Sequence, residues 1–182
     1  MTAQPTAFGR KLPRNDSESD DGHVSWVTCT ATSAGRAVAW ATNGRIDHDG
    51  TVYRAASPQV SPGGGQTLQQ VAVGVANVAH LQLIIPTGWQ WADVLNWLRL
   101  GKGVILAGRY DSIPRAYRYQ ADGAFDHRMW CSHYSATSGI RTWDPLDPNV
   151  HAWGRWLPVS VVKGFALSLG HVDAGYVPLQ AL

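Results

Sequence analysis

Charge is scarce in this chain: only 15% of its 182 residues are Asp, Glu, Lys or Arg, and the formal net charge is +2. No basic stripe occurs, and no aromatic platform interleaved with lysine, so nothing favours a nucleic-acid partner. Cysteine is scarcer still, with Cys29 and Cys131 alone. Two such distant cysteines make neither a disulfide framework nor a zinc ribbon. They fit synthesis in a reducing cytoplasm. Long apolar runs are missing too: Val71 to Ala76 and Val104 to Ala107 are too short to cross a bilayer. The N-terminus has no apolar core of the kind a secretory signal needs, so none is expected. Gly63-Gly-Gly65 is followed by neither a phosphate-loop lysine nor Rossmann spacing. Asp93 and Asp126 form no carboxylate pair with a defined partner, which leaves glycoside hydrolysis unsupported. No cofactor is expected.

What is present is tryptophan, nine residues of it, within an ordinary 45% hydrophobic content. The length suits one domain with a real core. Residues 1–22 read as an irregular arm, with Pro5, Pro13 and the run Asn15 to Gly22, and residues 23–182 as the folded domain. A helix is predicted over about 30–42, with Ala31, Ala34, Val38 and Ala41 on one close-packing face and Asn43-Gly44 as its stop. Thr67 and Gln70 have the form of a capping box opening a second helix to about residue 79. His80 to Ile85 reads as a buried strand, and a third helix is expected over 90–100. Val104 to Tyr110 is a strand by its branched residues and flanking glycines. Phe125 to Tyr134 and Ile140 to Asp144 are two more, and a last helix is expected from Pro158 to Leu169. Helices first, then antiparallel strands, then a closing helix give an α+β fold with its helices on one side of the sheet.

Three residues on these elements suit nucleophilic chemistry. Cys29 stands where an extended segment runs into the first helix; His127 opens a strand; Asp144 ends the next. A helix N-terminus favours thiolate through its free N–H groups and dipole. An imidazole takes the proton and returns it to a leaving amine, and a carboxylate on its far nitrogen fixes the tautomer. If the strand is regular, His127, Met129, Cys131 and His133 share a face. The plainer reading of Cys29 is a small buried residue at a helix start. Cys131 reads as core, and His133 as a weaker candidate base. A metal centre from His127, Cys131, His133 and Asp144 matches no standard zinc spacing, so no metal is expected.

Cysteine, histidine and acid in this order are the layout of a papain-like site. Further stretches extend the likeness: Cys29-Thr-Ala-Thr-Ser-Ala-Gly, Gly64-Gly-Gln-Thr-Leu68, the run from Gly101 to Leu146, Gly154-Arg-Trp-Leu-Pro158 and Val162-Lys-Gly-Phe-Ala166. Together they resemble papain-like domains related to bacteriocin leader-processing peptidases, especially those of tailed actinobacteriophages. The resemblance implies a papain-like cysteine peptidase fold with N-terminal helices on an antiparallel sheet. It implies Cys29 as nucleophile, His127 as base and Asp144 as orienting acid. The oxyanion glutamine of such enzymes falls at His23, which can still donate a hydrogen bond. Trp153 and Trp156 would line the substrate cleft. The implied setting is a phage particle, in its tail, baseplate or neck, with other virion proteins as partners in a multimeric assembly. The implied activity is hydrolysis of a peptide or a peptidoglycan stem peptide; the alternative is an inactive structural subunit that keeps the fold as a scaffold.

Overall fold

The computed structural model describes residues 29–47, 50–56, 65–119, 123–147 and 154–180. The arm expected for residues 1–22 lies outside them, as do His23 and Trp153. Four helices come first: α1 (Cys29–Ala41), α2 (Gly50–Ala55), α3 (Leu68–Ala79) and α4 (Trp91–Arg99). Then come β1 (Val104–Arg109), two short 3-10 turns (Tyr110–Ser112 and Arg115–Tyr117), β2 (Asp126–Ser135) and β3 (Gly139–Trp143). The edge strand β4 (Arg155–Leu157), α5 (Val159–Leu167) and β5 (Ala174–Gly175) close the chain. The five strands form one antiparallel sheet in the order β4-β3-β2-β1-β5.

Helix α1 is the centre of the fold. All 13 of its residues are buried, Thr30, Thr32, Ser33 and Arg36 included. Local propensity works against it, since Thr, Ser and above all Gly35 cost a helix several tenths to about 1 kcal/mol each. Burial decides the matter. Small residues let α2, α3 and the sheet approach it from several sides. Large side chains close the layer: Trp40, Tyr53, Val71, Val75, Ile105, Trp130 and Trp143 pack around it. Each such buried side chain contributes about 1.5–3 kcal/mol, which outweighs the propensity loss. The Trp40 indole N–H also donates to Gly101 O at 2.9 Å, tying α1 to the turn before β1.

The sheet is covered on both faces, not one. Helices α1 and α3 take one side, while Val94 and Leu98 of α4 and Val162 and Phe165 of α5 pack with Leu106, Met129 and Cys131 on the other. The capping box of α3 is present: Thr67 Oγ1 accepts from Gln70 N at 3.2 Å and Gln70 Oε1 from Thr67 N at 2.8 Å. The strand expected over His80 to Ile85 is reduced to one bridge, Ile84 to Tyr176, because its partner among the described residues is the short segment after β5. Helix α4 buries Val94 and Leu98 and leaves Trp91 and Leu95 half-buried at its border.

Candidate active site

Cys29 is the first residue of α1 and His127 the second of β2; Asp144 follows the last residue of β3. The fold brings all three together in the interior, with Cys29 2% and His127 0% exposed. His127 Nε2 lies 2.7 Å from Asp144 Oδ1. That oxygen also accepts Leu146 N–H at 2.9 Å, and Asp144 O accepts Asp147 N–H at 3.0 Å. The short Asp-Pro-Leu-Asp turn therefore presents the carboxylate in one orientation, by its own backbone. Around the imidazole stand three edge-on rings: Tyr110 at 5.2 Å, Phe125 at 6.0 Å and Phe165 at 6.4 Å. They fix the ring plane and keep water from the His127–Asp144 bond.

With Nε2 held by the acid, Nδ1 is the ring nitrogen left for the thiol. It is buried and has no bond of full hydrogen-bonding geometry. Cys29 nonetheless lies within reach of the ring, and the two groups shift each other's titration. The contact is looser than a full hydrogen bond, as is common in unliganded sites. Burial, the largest influence on the Cys29 thiol, pushes its pKa up. The His127 hydrogen bond and charge, the Arg128 charge and the Arg128 backbone N–H together overcome it and bring the pKa below its ordinary value. For His127, burial works to lower the pKa, yet the Asp144 charge and hydrogen bond, aided by Cys29, raise it to about 10. Both shifts favour a thiolate beside an imidazolium. The Arg128 guanidinium is anchored by Asp173 at 3.3 Å, and Ser33 Oγ donates to Arg128 O at 3.3 Å, so this strand residue is tied to α1 by its backbone and to the residue before β5 by its side chain.

The pairing has a consequence for stability. The folded pKa of His127 lies above its ordinary 6.5, so its contribution is complete below about pH 6.5 and is lost as pH rises toward 10. In a Cys29→Ala background, which removes the thiol's own titration, the melting temperature should fall across that window. Asp144→Asn in the same background should flatten the slope. Equal slopes in both proteins would mean that Asp144 does not hold the imidazolium.

The remaining candidates are elsewhere. A register shift between Cys131 and His133 turns His133 to the α1 face, away from Met129 and Cys131. Regular alternation does not anticipate that bulge. There His133 meets the Trp40 ring at 5.1 Å, and Ser132 Oγ lies 2.5 Å from its Nδ1. Burial, then Arg141, lowers its pKa. Cys131 is core, its thiol pushed far up by burial. Trp156 is 40% exposed on β4, opposite Arg141, and no described contact joins it to Cys29, His127 or Asp144. Among the described residues no group of His, Cys, Asp or Glu could hold a metal ion. No described helix is long and apolar enough to cross a membrane. Sequence reasoning missed Tyr110, Arg128 and Asp147. Only Arg128, next to the histidine, and Asp147, in the turn of Asp144, lay near a signal.

No family model matches the chain. No curated protein matches it in sequence. In structure it is similar to a Bacillus anthracis protein, known from a crystal structure and provisionally described as a C39-like peptidase. The two share 14% identity over 100% of this chain and 98% of that one, with a TM-score of 0.61. At that identity the likeness speaks for the fold alone. Helices on a five-stranded antiparallel sheet give the chain the α+β, papain-like fold of this C39-like neighbour.

Proposed function

We propose that the chain is a cysteine peptidase or amidase, with Cys29 as nucleophile, His127 as base and acid, and Asp144 as orienting carboxylate. One observation carries this reading. The Nε2 face of His127 is held by Asp144 at 2.7 Å, which leaves Nδ1 to a thiol at the start of a buried helix. Cys29 gives its proton to Nδ1 and its sulfur attacks the amide carbon. The oxyanion is met by helix-start N–H groups, with His23 as the proposed second donor. The imidazolium then protonates the leaving amine, and a thioester remains on Cys29. Water, deprotonated by His127, attacks the thioester, releases the acid and restores the thiol.

The proposed substrate is a peptide or the stem peptide of peptidoglycan. Trp153 and Trp156 are proposed to line the path to the site. The proposed setting is the particle of a tailed phage, beside other virion proteins, assembled from chains made in the host cytoplasm; the sequence resemblance supports it. A second reading, an inactive structural subunit, is favoured by the near-complete burial of Cys29 and His127. Incubating wild type and Cys29→Ala with a peptide library and with purified peptidoglycan separates the two. Mass spectrometry should find new termini in the wild-type reactions only. Identical products from both proteins, or none from either, would leave the structural reading.

A further inference from the structure

The first turn of α1 carries two hydroxyls that reach out of the helix. A Ser or Thr inside a helix commonly donates to the carbonyl one turn back. Thr42, the residue after α1, does so, with Oγ1 2.8 Å from Val38 O. Thr30 and Ser33 spend their hydroxyls elsewhere. Thr30 Oγ1 donates at 2.7 Å to the carbonyl of Gln66, 36 residues away. Ser33 Oγ donates at 3.3 Å to the carbonyl of Arg128, 95 residues away. Both residues are buried, so water does not compete for either hydroxyl. Each acceptor is itself fixed. The peptide group joining Gln66 to Thr67 is held at both ends: Thr30 takes its carbonyl, and Gln70 Oε1 takes its N–H at 2.8 Å within the capping box of α3. Arg128 follows His127 in β2 and pairs with Ala107 of β1. Pairing of β2 with β3 ends at Trp130, and Ser33 takes up the Arg128 carbonyl two residues beyond.

We propose that Thr30 and Ser33 are positioning residues, whose two hydroxyls seat Cys29 against His127. The proposal rests on reading Cys29, His127 and Asp144 as the catalytic set. Helix geometry gives each hydroxyl its part. At about 100° per residue, Ser33 projects about 40° from Cys29 around the axis, one turn further on, and Thr30 about 100°. Ser33 therefore shares the face of Cys29 and bonds to the residue next to His127, which joins the thiol's helix to the imidazole's strand. Thr30 pulls in a second direction, toward the start of α3. Two tethers on different sides of the axis stop the first turn from rolling or sliding. They act where a helix holds itself least, because its first N–H groups have no partner within it. Alanine at either position would suit a helix better, and α1 has alanine at 31, 34, 37, 39 and 41. Placement is what the hydroxyls supply instead, and a displacement of about 1 Å at a reacting atom can cost about a hundredfold in rate.

Thr30→Val and Thr30→Ser test this as a pair. Valine keeps the shape of threonine and loses the hydroxyl; serine keeps the hydroxyl and loses a methyl. The readout is iodoacetamide labelling of Cys29 from about pH 3.5 to 9, whose acid limb marks ionisation of the paired thiol. Thr30→Val should move the midpoint of that limb up by about 0.7 pH unit, the equilibrium weight of one buried hydrogen bond. Ser33→Ala should move it the same way. Thr30→Ser should leave it at the wild-type position. A role in packing alone gives the opposite order, with Thr30→Ser disturbed and Thr30→Val silent, and that result would overturn the proposal. So would lower melting temperatures in Thr30→Val and Ser33→Ala with the labelling profile unchanged. If Thr30→Val does not fold, Ser33→Ala decides: a raised midpoint supports the seating role, and an unchanged one ends it. Failure of the enzymatic reading shows in the wild type itself, where labelling would climb steeply between pH 6 and 8 and leave no seated thiolate for either hydroxyl to serve.

Discussion

Labelling of Cys29 by iodoacetamide should be nearly independent of pH between 6 and 8 in the wild type. In His127→Ala it should climb about tenfold per pH unit over the same range, as for an ordinary thiol with a pKa of about 8.5. Such a thiol is only about 0.3% ionised at pH 6, whereas a thiolate paired with imidazolium is ionised throughout. A lowered pKa also weakens the nucleophile, which returns part of this gain, so the difference at pH 6 should be about tenfold. The pH slope is a better readout than the absolute rate. His127 fills a fully buried site among Tyr110, Phe125 and Phe165, and truncating it opens a cavity that eases entry of the reagent. Access multiplies the rate equally at every pH and leaves the slope untouched. Any hydrolysis found should fall by about a thousandfold or more in the same variant. A steep slope in both proteins would mean that Cys29 is a buried thiol without a base.

Gly108→Ala should cost about 3 kcal/mol, at the upper end of overpacking changes, and lower the melting temperature by about 6–12 °C. Gly108 sits in β1 directly opposite His127. A Cβ there would lie 2.2 Å from Phe165 O and 2.8 Å from Phe165 C. The obstacle is helix backbone, which cannot rotate aside as a side-chain tip can. Nor is that carbonyl free to move: it accepts from Ser168 N at 3.1 Å and from Ser168 Oγ at 2.6 Å. Ser168 Oγ accepts Arg109 N–H at 2.6 Å, which fastens the end of α5 to β1. Helix α5 must therefore shift as a body and carry Phe165 away from the His127 ring. Thermal unfolding followed by far-UV circular dichroism checks the stability. A melting temperature within 2 °C of wild type, as an approximate limit, would show that α5 can shift without loss.

Both the fold class and the elements that carry Cys29, His127 and Asp144 were legible in the sequence, for separate reasons. Helices α3 and α4 show apolar spacing, and Thr67 and Gln70 announce the start of α3 with side chains that bond to backbone three residues away. Strand β1 is marked by branched residues between glycines. Cys29, His127 and Asp144 could be singled out together because the proposed chemistry needs each on a particular kind of element, and element type is a local property. What stayed hidden is non-local or too short to show a period. Strands β4 and β5 have three and two residues, fewer than alternation needs. The shift that turns His133 over depends on how β2 meets β3, not on either strand alone. Burial of every face of α1 follows from its neighbours; its own small residues imply close packing on one side only. Arg128 and Asp173 are far apart in sequence and meet only once the sheet is formed. Trp156 is exposed on β4, and His23 and Trp153 lie outside the described residues.

Because helix α1 has no solvent face, the thiol at its tip depends on the completed interior. A peripheral helix can drift in sequence along its outer side without consequence; this one has no such side, so a substitution at Ala34 or Ala39 reaches Cys29 through the helix axis. Its partners, His127 and Asp144, arrive about a hundred residues later, on the neighbouring strands β2 and β3, and reach it only when those strands dock on α1. Neither the lowered thiol pKa nor the raised imidazole pKa can exist in a partly folded chain. Nascent or misassembled copies would carry an ordinary cysteine whose labelling rises steeply with pH, so a flat pH profile at this one atom would mark the last step of folding.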